Sequence, residues 1–446
     1  MVLDGAASKR LLILCTTTGY QSHAFVEAAG KAGLQVVFGS DRCHVLADPW
    51  RDGAIPLRFE DPDESARRIA EYARRMAVDA LVALGDRPAP AAARACRLLG
   101  LPGHAPEAAD ICRDKYRSRA RLAEAGLQVP GFARFRVEDD PREIVASGTI
   151  GGSAAGSLGA AGVGFPCVVK PLALSASRGV IRANGPNEFI GAFERIRRLL
   201  RSPHVGVMRE ATSGFIQVET YVDGAECAVE AIVDRGRLRL LAVFDKPDPL
   251  TGPFFEETIY VTPSRLPSEI ETAVTRTLEQ SVRALGLGHG PVHAEFRINS
   301  EGVWVLELAS RAIGGLCSRA LRFLSQVSGE ELSLEEVLIR LALGLDLEDL
   351  RREKQASGVM MIPVPGEGIL KGVEGLEEVL KVAGVEDVVM TVKLGERLVL
   401  LPEGSSYPGF IFARSDSPER VEAALRRAHQ KLSFTLAPVL PVIGKW

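Results

Sequence analysis

The segment VHAEFRINSEGVWVLELA, residues 292–309, constrains the fold more than any other stretch of this 446-residue chain. Apolar and polar residues alternate on both sides of NSEG, which predicts two antiparallel strands joined by a tight turn. With a three-residue loop, Asn299 faces Val303 and Glu295 lies directly opposite Glu307. On the face of the two glutamates the same register places His293, Arg297 and Val305.

Glu295 and Glu307 form a candidate metal-binding pair. Two carboxylates directly opposite each other on a hairpin repel unless a cation lies between them. Mg²⁺ fits, since it takes few protein carboxylates and shares its other positions with water and phosphate oxygens. The alternative is an exposed face on which Arg297 screens two solvated glutamates. The apolar run VWVL before Glu307 argues against a freely solvated strand.

Composition and charge narrow the class of protein. The chain is 46% hydrophobic, and 54 basic residues nearly balance 57 acidic ones, for a net charge of −3. This balance gives no general attraction to nucleic acid or to an acidic membrane. Seven dispersed cysteines without a CxxC pair indicate reduced thiols. No apolar run reaches ~18 residues and no signal peptide is evident, so we expect a cytoplasmic protein.

The first 112 residues form the first predicted domain, in which strands and helices alternate. Strands are predicted at 11–18, 34–40 and 79–86, with a helix at 22–33 between the first two. This order predicts a small doubly wound α/β domain. Its first turn, TTTGYQSH, has one glycine instead of the GxGxxG pattern, so a dinucleotide site is poorly supported.

Two further domains are predicted. Residues 113–350 form an α+β domain, with a small lobe at about 130–222 and a larger lobe at about 223–350. Residues 351–446 form a mixed α/β domain. The Gly/Ala/Ser-rich segment 151–164 predicts a mobile insertion. Helices are expected at 113–126, 268–286 and 331–350.

Lys170 and the loop after it form a candidate phosphate-binding element. Lys170 ends the buried strand PCVVK, and the next loop carries the small residues Ser175, Ser177 and Gly179. Small residues let backbone N–H groups approach an anion. A lysine at a strand end can instead extend its ammonium group to solvent. Lys115, taken alone, would be an ordinary surface lysine of a helix.

The segment QVETYVDGAE, residues 217–226, has two interpretations. Glu219 and Glu226 flank a short strand and a turn, so they could be the exposed acids of a hairpin. Alternatively, the strand pairs its backbone with adenine while Glu226 accepts hydrogen bonds from ribose hydroxyls.

Together these elements resemble the ATP-grasp superfamily over the whole chain. The order matches: Lys115 on a helix, Lys170 on a strand, the loop at 175–179, the hinge at 217–226 and the pattern HxE…ExxxRxxGG at 293–315. The resemblance implies an ATP-grasp fold preceded by a Rossmann-like domain. It also implies that the protein uses ATP together with Mg²⁺, with Mn²⁺ as an alternative metal.

The resemblance assigns roles to individual residues. The metal ligands are expected to be Glu295 and Glu307. The residues expected to contact ATP are Lys115 and Lys170 at the phosphates, Ser175, Ser177 and Gly179 in the loop, Glu219, Tyr221 and Val222 at adenine, and Glu226 at the ribose.

ATP-grasp enzymes typically activate a carboxylate as an acyl phosphate, which an amine then captures. Lysines and Mg²⁺ neutralise the developing charge, so no side-chain nucleophile is required, and no Ser/His/Asp or Cys/His signature is evident. Arg311 is expected to neutralise the acyl phosphate or to bind a substrate carboxylate through two hydrogen bonds. The alternative is a structural arginine paired with a nearby glutamate. Gly314 and Gly315 would let the backbone approach the reacting groups.

Two segments resemble the L-amino-acid ligases within this superfamily: FFEETIYVTPSRLP at 254–267 and the C-terminal MMIPVPGEGILKGVEG…SSYPGFIFARS. In that family an acidic residue holds a substrate amino group, and Glu257 takes its position. Tyr260 stands where a histidine is expected. Ala309 is a second departure, because many ATP-grasp proteins have ExN there and the asparagine adds a metal ligand.

The sequence therefore predicts an ATP- and Mg²⁺-dependent carboxylate–amine ligase that joins amino acids into a dipeptide or amide. Its expected partners are small molecules, without nucleic acid or membrane, and a homodimer is compatible with this interpretation. The loops at 151–164 and 175–179 are candidate lids. The alternatives are another ATP-grasp activity, such as a purine-biosynthesis ligase or a carboxylase, and a nucleotide-binding regulatory protein without turnover. Substrate handling is assigned to Glu257, Tyr260, His293, Arg311, Gly314 and Gly315, of which Glu257, His293 and Arg311 are the catalytic candidates.

Overall fold

The computed structural model describes residues 9–16, 21–41, 54–151, 162–172 and 174–439. Most of the predicted mobile insertion, residues 152–161, and part of the first turn, residues 17–20, lie outside the described residues. In the part of the chain that is described, no helix is both long enough and apolar enough to cross a membrane.

The N-terminal region contains a four-stranded parallel sheet with strand order β3-β2-β1-β4. Strand β1 is almost wholly buried, because strands covered on both faces are continuously apolar. The three predicted strands are present, and β3 is an additional edge strand. The elements are β1 (Arg10–Cys15), α1 (Ser22–Lys31), β2 (Gln35–Ser40), β3 (Ala54–Pro56), α2 (Pro62–Arg75), β4 (Ala80–Leu84), α3 (Ala89–Leu99) and α4 (Pro106–Arg113).

A four-stranded antiparallel sheet forms the small lobe, in the order β5-β8-β6-β7. The helix predicted at 113–126 is α5 alone, since Asp114 separates it from α4 and caps it by accepting hydrogen bonds from the backbone N–H groups of Tyr116 and Arg117. The elements are α5 (Lys115–Glu124), β5 (Phe132–Arg136), α6 (Pro141–Ala146), β6 (Cys167–Pro171), β7 (Ile181–Ala183), α7 (Pro186–Leu200), α8 (Pro203–Gly206) and β8 (Phe215–Thr220).

The larger lobe follows, built on long antiparallel strands. The helix predicted at 331–350 is shorter than expected, because Gly344 takes a left-handed conformation just beyond it. The elements are β9 (Ala225–Asp234), β10 (Arg237–Lys246), β11 (Ile259–Thr262), α9 (Ser268–Leu285), β12 (Gly290–Asn299), β13 (Gly302–Ala309), β14 (Arg322–Ser325), β15 (Glu331–Ser333), α10 (Leu334–Ala342) and β16 (Leu350–Arg352).

The C-terminal segment extends the same sheet, because β17 pairs with β11 in the order β13-β12-β9-β10-β11-β17-β21-β19. Strands β17, β21 and β19 are therefore hydrogen-bonded into the sheet of the larger lobe, whereas β18, β20 and β22 form a separate three-stranded sheet. The elements are β17 (Ala356–Met361), β18 (Gly368–Glu374), α11 (Leu376–Leu380), β19 (Val385–Met390), β20 (Arg397–Leu398), β21 (Gly409–Ser415), α12 (Pro418–His429) and β22 (Ser433–Ala437).

The hairpin of β12 and β13 pairs Glu295 with Glu307, as the alternating pattern predicts. The predicted turn is wrong by one residue, because Asn299 pairs with Gly302 and not with Val303. The turn therefore contains two residues instead of three.

A β-bulge restores the predicted register at the glutamates. Phe296 pairs with Val305 while Glu295 pairs with Glu307, so Leu306 is the extra residue of β13. The bulge reverses the side chains between it and the turn. Val305 is consequently fully buried in the apolar core with Phe296, which corrects its predicted place on the glutamate face.

Candidate active site

Arg119 on α5 holds the bulge in place. Its guanidinium donates to the backbone carbonyl of Val305 and, at 2.6 Å, to that of Leu306. A bulge leaves ladder groups unpaired, and a buried carbonyl without a hydrogen bond is unfavourable. Arg119 therefore stabilises the local backbone that sets Glu307 opposite Glu295.

Lys115, one turn before Arg119, reaches the same hairpin. Its Nζ atom lies 3.5 Å from Oε1 of Glu307 and donates to the backbone carbonyl of Leu174 at 3.2 Å. The side chain of Glu307 is 33% exposed and that of Glu295 is 21% exposed. Oxygen ligands with this partial access fit Mg²⁺, which keeps positions open for water and phosphate.

Lys170 is not a solvated lysine. Its ammonium donates to Glu219 at 2.7 Å, and Arg119 donates to the other oxygen of the same carboxylate at 2.8 and 3.0 Å. Burial opposes ionisation of Glu219, but the charges of Arg119 and Lys170 outweigh it and lower the pKa of that carboxyl to about 2. One buried charge network thus joins the predicted phosphate-binding lysine, through Arg119, to the hairpin that carries the predicted metal ligands.

The loop at 175–179, here called the phosphate loop, has an unusual backbone. Ala176 and Ser177 are left-handed, with φ angles of 56° and 54°, which residues with a Cβ rarely adopt. Gly179 is also left-handed, and a Cβ there would lie 3.0 Å from Pro171. The N–H of Gly179 donates to the carbonyl of Pro402 at 2.8 Å, so this amide faces the C-terminal segment.

Arg297 organises the predicted nucleotide hinge. It donates to the Tyr221 hydroxyl at 3.1 Å, to the Val222 carbonyl at 2.7 Å and to the Glu226 carboxylate at 2.9 Å. Arg182 of the small lobe stacks over the Tyr221 ring at 4.0 Å. The structure brings these residues together, with Glu226 held by charge contacts inside the protein.

Lys246 is a functional candidate that the sequence interpretation missed. Its ammonium lies 2.8 Å from Glu226, 2.6 Å from Glu257 and 3.1 Å from Glu295, and its side chain is 3% exposed. Those three carboxylates could together hold a metal ion, but the ammonium already supplies the cation among them. Lys246 ends an apolar strand just as Lys170 does, and this shared pattern could have identified it.

The charged groups around Lys246 shift one another's pKa values. Burial disfavours its charged form, but Glu226, Glu257 and Glu295 outweigh burial and raise the pKa of the ammonium well above its ordinary value. Burial raises the pKa of Glu257, while the charges of Lys246 and His293 hold the pKa of Glu295 well below its usual range despite burial. Glu295 thus keeps the ionised form that a metal ligand requires.

His293 is oriented by Glu230, a second residue that the sequence interpretation missed. The two side chains are 2.5 Å apart, and Nε2 of His293 lies 3.6 Å from Glu295. Burial opposes the charged imidazole, but the hydrogen bond to Glu230 raises the pKa of His293 to about 9. Ala309 lies opposite His293 on the hairpin and is buried.

Arg311 is paired with Asp86, which follows β4 of the N-terminal region. The guanidinium donates to both carboxylate oxygens, at 2.8 and 3.3 Å. Asp86 is therefore a third missed candidate, because it fixes the arginine assigned to the substrate. Gly315 is left-handed, and a Cβ there would lie 3.0 Å from the Phe410 ring.

Tyr260 lies beneath the Lys246 cluster and is 2% exposed. The Lys246 ammonium lies 5.0 Å from the centre of its ring, and the Phe244 ring packs beside it at 5.7 Å. Its aromatic ring thus supports the cluster through a cation–π contact.

Three family models match the chain in the expected order. They describe an ATP-grasp N-terminal domain at residues 26–103, an ATP-grasp domain at 163–320 and L-amino acid ligase C-terminal domain 2 at 360–437. The chain therefore belongs to the ATP-grasp superfamily, as its motifs predict.

Individual relatives narrow the class. The crystal structure of an L-amino acid ligase from Bacillus licheniformis has a TM-score of 0.74 at 25% identity, covering 97% of this chain and 100% of that one. Alanine–anticapsin ligase of Bacillus subtilis is 27% identical over 64% of this chain, a match that spans 60% of that enzyme. Carnosine synthase 1 of Gallus gallus is 28% identical over 81% of this chain and 38% of its own length. With its L-amino-acid-ligase C-terminal domain, the chain is an ATP-grasp carboxylate–amine ligase.

Proposed function

We propose that this protein joins two amino acids through an amide bond, using ATP. A carboxylate oxygen of the first amino acid attacks the γ-phosphorus of ATP, and ADP leaves. The amine of the second then attacks the acyl carbon, phosphate leaves and the nitrogen loses one proton. The products are a dipeptide, ADP and phosphate.

One arrangement supports the proposal. Cationic side chains expected to bind phosphates and carboxylates expected to bind a substrate amino group lie at the same hairpin, that of β12 and β13. Lys115 reaches Glu307 on one side of the pair, and the Lys246 cluster links Glu295 to Glu257 on the other. An acyl phosphate formed beside the hairpin would therefore lie close to a group able to bind a substrate ammonium.

The basic side chains have distinct roles in this proposal. Lys115 and Lys170 neutralise the phosphates, and Arg311 binds the acyl phosphate or a substrate carboxylate through guanidinium N–H groups other than the two that donate to Asp86. The ion pair with Asp86 holds the Arg311 guanidinium in one orientation before substrate arrives. Glu295 and Glu307 would hold Mg²⁺, which would supply positive charge next to the phosphate groups.

Glu257 is the candidate ligand for a substrate ammonium group. It is held by Lys246 at 2.6 Å, so its carboxylate is already oriented toward the cluster. Tyr260 replaces the histidine expected in this segment and lies beneath the cluster. The substrates of this protein are therefore expected to be amino acids, as in the L-amino-acid ligases, but not the same amino acids that the relatives use.

ADP release measured across pooled amino acids tests the proposal. We expect release that needs both ATP and amino acids, with a dipeptide detected by mass spectrometry. Bound ATP without amino-acid-stimulated ADP would exclude ligase activity on amino acids. Release that depends on bicarbonate or on another amine would favour the carboxylase or purine-ligase alternative.

A further inference from the structure

The C-terminal segment contacts the phosphate loop at the turn between β20 and β21. This turn, Pro402 and Glu403, is here called the clasp. The carbonyl of Pro402 accepts from the N–H of Gly179 at 2.8 Å, and the carbonyl of Glu403 accepts from Arg178 at 2.9 Å. Both contacts are made by the last two residues of the loop.

A side-chain pair strengthens the clasp. Arg195 on α7 of the small lobe donates twice to the Glu403 carboxylate, at 2.7 and 2.8 Å. The two side chains are 40% and 36% exposed. A paired arrangement has defined geometry, while this exposure keeps the interaction weak enough to open and close.

The backbone of the phosphate loop explains why such support is needed. Ala176 and Ser177 are consecutive left-handed residues with side chains, and such conformations persist only where neighbouring contacts enforce them. Arg178 and Gly179 follow directly, and both are held by the clasp. The contact therefore acts on the part of the loop that needs restraint.

We propose that Glu403 is a positioning residue for the nucleotide: through the clasp, the C-terminal segment holds the phosphate loop in the shape that receives ATP phosphates. Glu403 itself does not touch the nucleotide. The inference rests on the proposed function only in taking ATP as the ligand of this loop, and it gives the C-terminal domain a part in ATP binding.

Three proteins test the clasp. Glu403→Gln removes the charge and keeps the shape, while Arg195→Glu/Glu403→Arg reverses the pair and leaves the net charge of the protein unchanged. Glu330→Gln is the matched control, since Glu330 pairs with Arg340 at 2.9 Å with 45% and 31% exposure. None of these positions is assigned to catalysis or metal binding.

Two measurements follow, neither of which needs ligase turnover. The rate of trypsin cleavage after Arg178 without nucleotide reports how tightly the loop is held, and calorimetry with MgADP reports affinity. For Glu403→Gln we expect both faster cleavage and weaker binding, by about two- to fivefold, the factor for an ion pair of this exposure. The reversed pair should restore both values, and the Glu330→Gln protein should match the parent.

Parent-like cleavage and parent-like MgADP affinity in Glu403→Gln would overturn the proposal. Faster cleavage together with weaker MgADP binding in the reversed pair would also overturn it. That result would show that the charge of Arg195 acts on the nucleotide directly, and that the contact between the two side chains does not matter. If the parent protein bound no ADP, the proposed function would fail, and the trypsin rates alone would decide the clasp.

Discussion

The Lys246 ammonium lies 2.6 Å from the Glu257 carboxylate, at the centre of a partly buried cluster that also holds Glu226 and Glu295. Replacing the lysine by methionine leaves the Glu257 carboxylate without its cation, whereas Glu226 keeps Arg297 and Glu295 keeps His293 as charged neighbours. Removing one partner of a buried ionic group costs about 3 kcal/mol or more. We expect Lys246→Met to lower the free energy of unfolding in urea by at least that amount and to abolish ADP release.

Adding Glu257→Gln to Lys246→Met provides the control, since Lys246 is the charged partner of Glu257. It removes the unpaired charge, so the double variant should regain part of the stability that the single variant loses. ADP release should stay absent, since the Glu257 carboxylate is lost and Glu295 remains without the Lys246 ammonium. Full activity in Lys246→Met would show that the cluster only contributes to folding.

The Glu295–Glu307 pair carries the metal proposal. Each change to glutamine keeps the shape and removes the charge that binds Mg²⁺, so we expect turnover to fall on the order of a hundredfold. The apparent requirement for Mg²⁺ should rise at the same time. Glu301→Gln, on the exposed turn of the same hairpin, should behave as the parent. The measurement is a titration with Mg²⁺ in which ADP release is recorded. Titration curves equal to those of the parent in both glutamate variants would contradict the assignment of the two residues as metal ligands.

Arg119 should affect nucleotide binding without touching the nucleotide. Lysine cannot serve Glu219 and two backbone carbonyls at once, because it lacks the planar fork of arginine. We expect Arg119→Lys to raise the KM for ATP and to lower kcat, since both Glu219 and the bulge beside Glu307 lose their support. A change in stability alone, with both kinetic constants preserved, would make Arg119 purely structural.

Two further variants test the contribution of the Arg119 charge to stability. Arg119→Met should lower the free energy of unfolding by about 3 kcal/mol, because Glu219 keeps only Lys170 as a charged partner. Adding Glu219→Gln should lower the free energy of unfolding further, because the buried Lys170 ammonium then loses the carboxylate with which it is paired. The kinetic defect should remain in the double variant, because the hairpin bulge still lacks its donor.

The glutamate pair could be predicted from sequence because a strand's side chains alternate, and the buried face of a hairpin specifies its register. The bulge at Leu306 could not, since the donor that stabilises it is Arg119, 187 residues away in the chain. The predicted turn was one residue too long, and the bulge adds one residue to β13. The two differences offset each other in the register, so Glu295 still pairs with Glu307.

The Lys246 cluster was missed for a related reason. Its carboxylates come from β9, from the segment before β11 and from β12, and only the pairing of β10 with β9 brings the lysine among them. Asp86 reaches Arg311 from another domain across 225 residues. Short motifs identify residues that act on a shared ligand, whereas the residues that orient them are joined by tertiary contacts.

His104 provides a test of the interface between the N-terminal region and the larger lobe. It is buried, and its Nε2 lies 2.9 Å from the backbone carbonyl of Pro291. Burial lowers the pKa of His104 to about 4, below its ordinary value of 6.5. The unfolded chain therefore binds the extra proton first as the pH falls.

The free energy of unfolding should consequently decrease as the pH is lowered from 6.5 to 4. Below pH 4, His104 should cause no further decrease. The full difference is about 3 kcal/mol, with a slope of up to about 1.4 kcal/mol per pH unit. We expect His104→Gln to unfold with a shallower pH dependence in urea titrations across this range. His23→Gln, at an exposed position on α1, should keep the parent slope. Equal slopes for His104→Gln and the parent would show that the buried imidazole accepts its proton without disturbing the interface.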